Sequence, residues 1–200
     1  MTGADPMSCD VLVVGGGPAG AAAAMELARA GRDVIVVDRA VFPRDKCCGD
    51  GLTTLALREL EHLGFDPGAV TDWRTVDGAT LRSPSGRTVR VPLPDDGVFA
   101  AVAPRLELDD AILRLARKEG ATIHDGRAFR GLEQHDDRVV VRVDRGCITT
   151  RYVIAADGMW SPVRKACGLA LPGYLGEWHG VRQYVGGVSG SAARELHVWF

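Results

Sequence analysis

The sequence predicts an α/β fold that starts with a parallel β-sheet, and three neighbouring segments support this prediction. Residues 10–14 form a short apolar run that is typical of a buried parallel strand. A glycine-rich turn follows, and residues 19–30 are rich in alanine, a strong helix former, with Gly31 where a C-terminal cap belongs. Residues 34–38 supply a second apolar run. Together these segments make one βαβ unit, which a right-handed crossover closes into a parallel sheet.

The rest of the chain departs from a regular alternation of strands and helices. Residues 80–91 predict a hairpin that turns at Ser-Pro-Ser-Gly, residues 83–86. Ser161 and Pro162 predict the N-cap and first residue of a helix. Residues 1–8 show no periodicity, so we expect order to begin near Cys9. The remaining predicted elements are helices at 52–63 and 106–119 and strands at 121–124, 127–133, 138–143, 150–156 and 196–200.

Length and composition limit the classes of function. The 200 residues are 46% hydrophobic and 25% charged, as in a globular chain with one full core. The formal net charge is −2 and the basic residues are scattered, so we expect no nucleic-acid partner. An apolar stretch from Val11 is interrupted by glycines and followed by Glu26 and Arg29, so it cannot span a bilayer. Any membrane contact would therefore be peripheral.

Cysteine and histidine usage point to a reducing compartment and to no metal site. The five cysteines include no C-x-x-C pair and follow no signal peptide, which fits a cytoplasmic location. The five histidines show no metal-ligand spacing.

Residues 15–20 read Gly-Gly-Gly-Pro-Ala-Gly and match the G-x-G-x-x-G pattern of dinucleotide-binding turns. A lone match is a weak signal, but this one follows a strand, opens a helix and is followed 18 residues after Gly20 by Asp38. Gly15 permits a tight turn, Gly17 lets backbone N–H groups approach a pyrophosphate, and Gly20 lets the helix and strand pack closely.

This turn predicts how a dinucleotide would be held. The helix N-terminus, with its partial positive charge, would face the diphosphate, and Asp38 would accept hydrogen bonds from the adenosine ribose. Both FAD and NAD use such a turn, and the alternative is an α/β turn that binds no nucleotide. The candidate residues are Gly15, Gly17, Pro18, Ala19, Gly20, Asp38 and the adjacent Arg39.

The loop after the second strand favours FAD. Residues 42–52 read Phe-Pro-Arg-Asp-Lys-Cys-Cys-Gly-Asp-Gly-Leu and resemble the P-R-x-K-x-C-G-x-G loop of the geranylgeranyl reductase family. That loop lies along the flavin in the family, so the resemblance implies that Cys48, Gly49 and Gly51 contact FAD. Glycines bring backbone amides close to a flat ring, and a thiol occupies little volume. The alternative is an ordinary turn with Cys48 as a small filler.

Three further residues follow from the same resemblance. Arg105 precedes the predicted 106–119 helix, where flavoproteins of this fold carry an arginine that reaches FAD; the alternative is a surface arginine. Ala128 falls where the family makes a backbone contact on the adenine side. Residues 156–164 are similar to the A-D-G-x-x-S-x-x-R element of aromatic hydroxylases and geranylgeranyl reductases, which implies that Asp157 contacts FAD. Ser161 and Arg164 of this element have an alternative interpretation as a helix cap and an ion-pair partner.

The resemblance also predicts the domain organisation. We expect a Rossmann-like FAD-binding domain from residues 9–75 and 98–178, interleaved with the start of an antiparallel substrate domain from residues 76–97 and 179–200. The resemblance implies that the family's third FAD motif, a G-D element, and its aromatic-proline motif fall beyond Phe200. We therefore expect the natural polypeptide to continue past Phe200.

The resemblance implies an FAD-dependent oxidoreductase that reduces C=C bonds of an isoprenoid, such as a geranylgeranyl or polyprenyl lipid or a menaquinone tail. Reduced flavin would deliver the hydride, and NAD(P)H is the expected electron donor. No catalytic acid is identified, and nothing indicates the oligomeric state. The aromatic residues Trp178, Tyr184, Trp199 and Phe200 line an isoprenoid cavity or, as we favour, pack within a sheet. The alternatives for function are a flavin-dependent monooxygenase or halogenase acting on an aromatic substrate, and a non-catalytic nucleotide-binding module.

Overall fold

The computed structural model describes residues 7–171, 173 and 180–200. Its helices are α1 (Pro18–Arg29), α2 (Thr54–His62), α3 (Arg105–Lys118) and α4 (Pro162–Ala166). Its strands are β1 (Met7–Val14), β2 (Val34–Val37), β3 (Gly51–Leu52), β4 (Arg74–Thr75), β5 (Gly78–Arg82), β6 (Thr88–Pro92), β7 (Ala101–Val102), β8 (Thr122–His124), β9 (Phe129–Gln134), β10 (Val139–Val143), β11 (Gly146–Ala155) and β12 (Glu195–Trp199).

The chain divides into two compact units. The described residues of the first unit fall within Met1–Arg44 and Asp109–Glu177, and those of the second fall within Asp45–Leu108 and Trp178–Phe200. The two segments predicted to begin a substrate domain, 76–97 and 179–200, belong to the second unit. Trp178 and His179, where the predicted boundary falls, lie outside the described residues, and the predicted domain boundaries stay a prediction.

The first unit is built on a six-stranded sheet in the order β8-β2-β1-β11-β10-β9. The strands β8, β2, β1 and β11 run parallel, whereas β10 and β9 continue the sheet in antiparallel pairs. Val14 at the end of β1 lies opposite both Val37 of β2 and Ala155 of β11. The carboxyl ends of these three strands therefore meet at one edge of the sheet, where ligands of open α/β sheets bind.

The parallel strands are buried as their apolar sequences predict. All four residues of β2 are buried, and so are the last four of β1. The strand β1 begins at Met7 rather than near Cys9, because Met7 and Ser8 pair with Ile148 and Thr149 of β11. The expectation of disorder up to residue 8 was therefore wrong for these two residues, and residues 1–6 lie outside the described part of the chain.

The helices confirm the periodicity arguments. In α1, Ala21, Ala24 and Met25 are buried, and the chain leaves the helix through Gly31 at a φ of 75°. In α3, Leu108, Ile112 and Ala116 are buried on one face, four residues apart. These small or regularly spaced apolar side chains give each helix one face to bury.

The second unit contains two small sheets, with strand orders β12-β5-β6 and β3-β7-β4. The predicted hairpin is confirmed, because β5 and β6 pair antiparallel on either side of residues 83–87. The strand β12 instead pairs parallel with β5, so the expectation of a purely antiparallel start was wrong for this strand. The two strands are separated by more than a hundred residues of chain, well above the roughly twelve residues that a parallel connection needs.

Candidate functional site

The glycine turn, residues 15–20, leads from β1 into α1 and requires glycine at two positions. Gly15 has a φ of 106°, and a Cβ there would lie 2.3 Å from the carbonyl oxygen of Ala156. A Cβ on Gly20 would lie 1.8 Å from the carbonyl oxygen of Gly15. Real Cβ atoms do not come this close to other atoms, so the backbone packing of β1, α1 and the end of β11 depends on both glycines.

The first turn of α1 is open to an anion. Gly17 is the N-cap and supplies no side-chain cap, Pro18 occupies the first turn, and Ala19 is exposed. The first N–H groups of a helix have no intrahelical partner, and the helix dipole places partial positive charge there. A diphosphate satisfies both the open N–H groups and the charge.

Asp38 stands beside the glycine turn, as its position after β2 predicts. Its Oδ2 accepts a hydrogen bond of 2.7 Å from the N–H of Gly16, and its Oδ1 accepts one of 2.8 Å from the N–H of Ala40. A carboxylate has about four acceptor positions, so capacity remains for ribose hydroxyls. The structure thus brings the turn and Asp38 together, while Arg39 is exposed next to them.

Asp157 follows β11 and reaches the same edge of the sheet. A Cβ on Gly15 would lie 2.9 Å from the Cα of Asp157, which places this residue directly against the turn. The Oδ2 of Asp157 accepts a hydrogen bond of 3.0 Å from the N–H of Val163. Its Oδ1 is buried and has no hydrogen-bond partner among the described residues. A buried acceptor without a donor is costly, and a ligand with a hydroxyl or N–H group would satisfy it.

The other residues of the A-D-G element have structural roles. Ser161 caps α4 by accepting a hydrogen bond of 2.9 Å from the N–H of Arg164, as the cap interpretation predicts. The guanidinium of Arg164 donates to the carbonyl oxygen of Met159 at 2.8 Å.

The backbone N–H and carbonyl groups of Ala128 both form hydrogen bonds with Asp144. Its N–H donates to Asp144 Oδ2 at 3.0 Å, and its carbonyl accepts from the N–H of Asp144 at 3.1 Å. The hydrogen bond from Ala128 and the neighbouring Arg130 lower the pKa of the Asp144 carboxyl. Ala128 lies one residue before β9 rather than inside a strand, so that part of the prediction was wrong. Because its N–H is already used, a backbone contact to adenine would fall to its carbonyl oxygen.

The cysteine loop, residues 47–51, belongs to the second unit and joins β3, which pairs with β7. Cys47 is exposed and Cys48 is half-buried. A Cβ on Gly49 would meet no atom within 4 Å, and one on Gly51 would meet only the carbonyl oxygen of Gly49 at 3.9 Å. Among the described residues, none requires glycine at these positions, which leaves space beside the backbone for a ligand.

Sequence reasoning missed Asp50, the residue between these two glycines. Its side chain is 4% exposed, and its φ of 55° is the sole positive φ of a non-glycine residue in the described part of the chain. The hydroxyl of Tyr184 donates to Asp50 Oδ2 at 2.6 Å, and Arg182 Nη1 lies 3.6 Å from Oδ1. The hydrogen bond to Asp50, together with desolvation, raises the pKa of Tyr184 to about 12.

A second carboxylate of this region, Asp45, also pairs with Arg182. The hydrogen bond from Arg182 is the main cause that lowers the pKa of Asp45, and the positive charge of Arg105 contributes. Arg105 is half-buried and is the first residue of α3. The contact of Arg105 with FAD stays a prediction. The only sequence signal for this cluster was the loop itself, since Arg182 and Tyr184 follow more than 130 residues later.

Comparison with known proteins places the chain in a family. The sequence profile of the FAD binding domain matches residues 8–193. The chain belongs to the FAD binding domain family. Its glycine turn, Asp38 and the unsatisfied Asp157 fit that cofactor, because they offer open N–H groups to a diphosphate and acceptors to hydroxyl groups.

Individual relatives of this FAD binding domain are named as reductases. The chain is 40% identical over 186 residues to a menaquinone reductase of Mycobacterium tuberculosis, covering 91% of the chain and 43% of that protein. It is 33% identical over 170 residues to digeranylgeranylglycerophospholipid reductase 1 of Methanothermobacter thermautotrophicus, covering 80% and 41%. The chain thus spans about two fifths of the length of these relatives.

A solved structure agrees with the fold. A geranylgeranyl bacteriochlorophyll reductase-like protein of Thermoplasma acidophilum superposes with a TM-score of 0.71 at 27% identity, over 82% of this chain and 42% of that one. No helix in the described ranges is both long and apolar enough to cross a membrane. The same ranges contain no cluster of side chains suited to a metal ion.

Proposed function

We propose that the protein is an FAD-dependent oxidoreductase that reduces C=C bonds of an isoprenoid. The observation that carries this proposal is the 40% identity to a menaquinone reductase over 186 residues, which cover 91% of the chain. The names of the other reductase relatives agree with it.

In this proposal the first unit holds the nucleotide portion of FAD. The open N–H groups of Gly17, Ala19 and Gly20 bind the diphosphate, and Asp38 accepts from the ribose hydroxyls while it keeps Gly16 in place. Asp157 Oδ1 takes the hydrogen bond that it lacks within the chain. Ala128 provides a carbonyl on the adenine side, and Arg39 stays in solvent next to the ribose.

The resemblance assigns the residues of the second unit to the same cofactor. We propose that Cys48, Gly49 and Gly51 contact the flavin, where the bare backbone beside the glycines leaves room for a flat ring. We propose that Arg105 adds positive charge toward FAD. When bound, FAD supplies hydride chemistry, and the protein supplies orientation and exclusion of water.

The substrate and electron donor are proposed from the family resemblance, and the names of the reductase relatives support the substrate. The substrate is a geranylgeranyl or polyprenyl lipid or a menaquinone tail, NAD(P)H is the donor, and the protein works in the cytoplasm with peripheral membrane contact. A monooxygenase or halogenase shares the glycine turn and the A-D-G element. The cysteine loop favours the reductase, because it resembles that family's loop. A non-catalytic nucleotide-binding module is the third candidate.

An assay that is run both without and with oxygen separates these functions. The protein is expressed from its natural gene, loaded with FAD and given NAD(P)H with a menaquinone that has an unsaturated prenyl tail. The reductase predicts a product heavier by two hydrogen atoms, measured by mass spectrometry, and no such product without FAD. Hydroxylation or halogenation of an aromatic substrate that requires oxygen would refute the proposal. Bound FAD with no turnover of any prenyl or aromatic substrate would instead favour the non-catalytic module.

A further inference from the structure

The cysteine loop is attached to the second unit through Asp50. The backbone carbonyl of Asp50 accepts a hydrogen bond of 2.9 Å from the N–H of Ala103, next to β7. Its carboxylate receives the Tyr184 hydroxyl at 2.6 Å and faces the guanidinium of Arg182 at 3.6 Å. Its side chain is buried, whereas Gly49 and Gly51 on either side are exposed. One fixed residue therefore lies between two glycines that face open space.

Arg182 ties together both ends of this loop and Tyr184. Its guanidinium donates to the backbone carbonyl of Lys46 at 3.1 Å and to the carboxylate of Asp45. It also lies over the Tyr184 ring, 4.5 Å from the ring centre. The guanidinium thus holds the segment before the loop and lies against the tyrosine. It forms an ion pair with Asp50 at 3.6 Å, although Asp50 Oδ1 accepts no hydrogen bond among the described residues.

The backbone at Asp50 shows why an anchor is needed. A residue with a Cβ is disfavoured at a φ of 55°, although aspartate tolerates this region better than most. Glycine would adopt it freely, so the choice of aspartate here is not explained by backbone conformation. The carboxylate, with its two partners, explains it.

We infer that Asp50, held by Tyr184 and Arg182, is a positioning residue that fixes the cysteine loop so that the backbone of Gly49 and Gly51 faces the flavin. Tyr184 and Arg182 are then part of the flavin-binding machinery without contacting the flavin themselves. This inference rests on the proposed contact of the loop with FAD, and it does not depend on which substrate is reduced.

The test compares substitutions that separate the effect of the Asp50 carboxylate from the effect of the backbone conformation at that residue. Asp50→Gly relieves the positive φ but removes the carboxylate, and Asp50→Asn keeps an acceptor and tolerates the φ. Tyr184→Phe removes only the donated hydroxyl. Tyr152→Phe is the matched control, because Tyr152 and Tyr184 are both 60% exposed and each lies beside an arginine.

Two readouts are taken on the protein expressed from its natural gene. The first is the rate at which N-ethylmaleimide labels Cys48 in the FAD-free protein, resolved by peptide mass spectrometry. The second is the dissociation constant for FAD, with the visible absorption bands of the bound flavin. A hydrogen bond to a charged group is among the stronger ones, so Asp50→Gly and Tyr184→Phe should raise both values about tenfold. Asp50→Asn should recover much of the loss, and Tyr152→Phe should change neither value.

The two readouts test two separate parts of the inference. Unchanged Cys48 labelling in Asp50→Gly would overturn the anchor, since the loop would then hold its shape without the carboxylate. Faster labelling with unchanged FAD affinity and an unchanged flavin spectrum would overturn the link to the flavin. Neither readout involves an alkene, so a failure of the proposed reductase activity leaves both results interpretable.

Discussion

Replacing Gly20 with alanine tests whether the glycine turn is set by packing between backbones. Gly20 lies in the first turn of α1, where alanine alone would stabilise a helix by about 1 kcal/mol relative to glycine. The added Cβ would lie 1.8 Å from the Gly15 carbonyl oxygen, where 3.0 Å is the shortest distance that real Cβ atoms show. One of the two backbones must therefore move by at least about 1.2 Å.

The two effects have opposite signs, and the packing effect should be the larger. Overpacking a well-packed site costs about 1–3 kcal/mol, and a rigid carbonyl places this case near the upper end. We expect Gly20→Ala to lower the free energy of unfolding by about 1–2 kcal/mol after the helix gain is subtracted. For a chain of 200 residues this corresponds to a fall in Tm of roughly 2–8 °C.

Urea and thermal unfolding of the FAD-free protein measure this change, so that loss of cofactor does not contribute. Ala22→Gly is the control, because Ala22 is half-buried in the same helix and has no such contact to relieve. Ala22→Gly should lower the free energy of unfolding by about 1 kcal/mol, which measures the preference for alanine over glycine within this helix. A Gly20→Ala protein as stable as the wild type, or more stable, would refute the close approach of α1 to the turn.

Three further predictions concern single groups. Gly49→Ala should leave the Tm of the FAD-free protein unchanged, since its Cβ meets no atom within 4 Å, and weaken FAD binding in a fluorescence titration. The pKa of Tyr184 is raised from 10.0 to about 12, so its contribution to stability is full below pH 10 and is lost as the pH rises toward 12. Urea unfolding across this range should show that loss in the wild type and not in Tyr184→Phe. Asp109→Asn should lower the free energy of unfolding by about 3 kcal/mol, because the fully buried Asp109 carboxylate pairs with Arg44 at 2.6 Å. Asp110→Asn should lower it by less than about 1 kcal/mol, because Asp110 pairs with the exposed Arg114.

Each of these has a result that contradicts it. A fall in Tm for Gly49→Ala would show that the position is constrained within the chain. An identical alkaline profile for wild type and Tyr184→Phe would place the titration on another group. Equal decreases in the free energy of unfolding for Asp109→Asn and Asp110→Asn would mean that burial of the Asp109–Arg44 pair does not change its contribution to stability.

Local patterns were enough to predict the first unit's core and half of the candidate site. The apolar runs, the glycine turn and the spacing to Asp38 each act within about 40 residues, and they gave β1, α1 and β2 in the right places. Asp157 was identified through its resemblance to the A-D-G element, and its place after β11 agrees with the rule that parallel strands present their carboxyl ends at a common edge. Backbone geometry of this kind can be predicted from short segments of the sequence.

Features that depend on distant partners could not be predicted. Tyr184 and Asp50 are 134 positions apart, and no periodicity links them. Ala128 was placed by analogy, but whether its N–H is free depends on Asp144, which follows two strands and a turn later. The parallel pairing of β12 with β5 is likewise a long-range choice. Side-chain pairing across such separations depends on the whole fold and produces no recognisable pattern in the local sequence.

The glycines of the candidate site fall into two physical classes. Gly15 and Gly20 are required by the protein itself, because a Cβ at either position would overlap a backbone atom. Gly49 and Gly51 meet no such limit, and the anchored Asp50 between them keeps their bare backbone outward. If the first pair serves the fold and the second serves the ligand, alanine at Gly20 should change unfolding with or without FAD, whereas alanine at Gly49 should change it only when FAD is present. A protein in which both substitutions act alike without FAD would show that the cysteine loop is packed against the chain rather than open to the flavin.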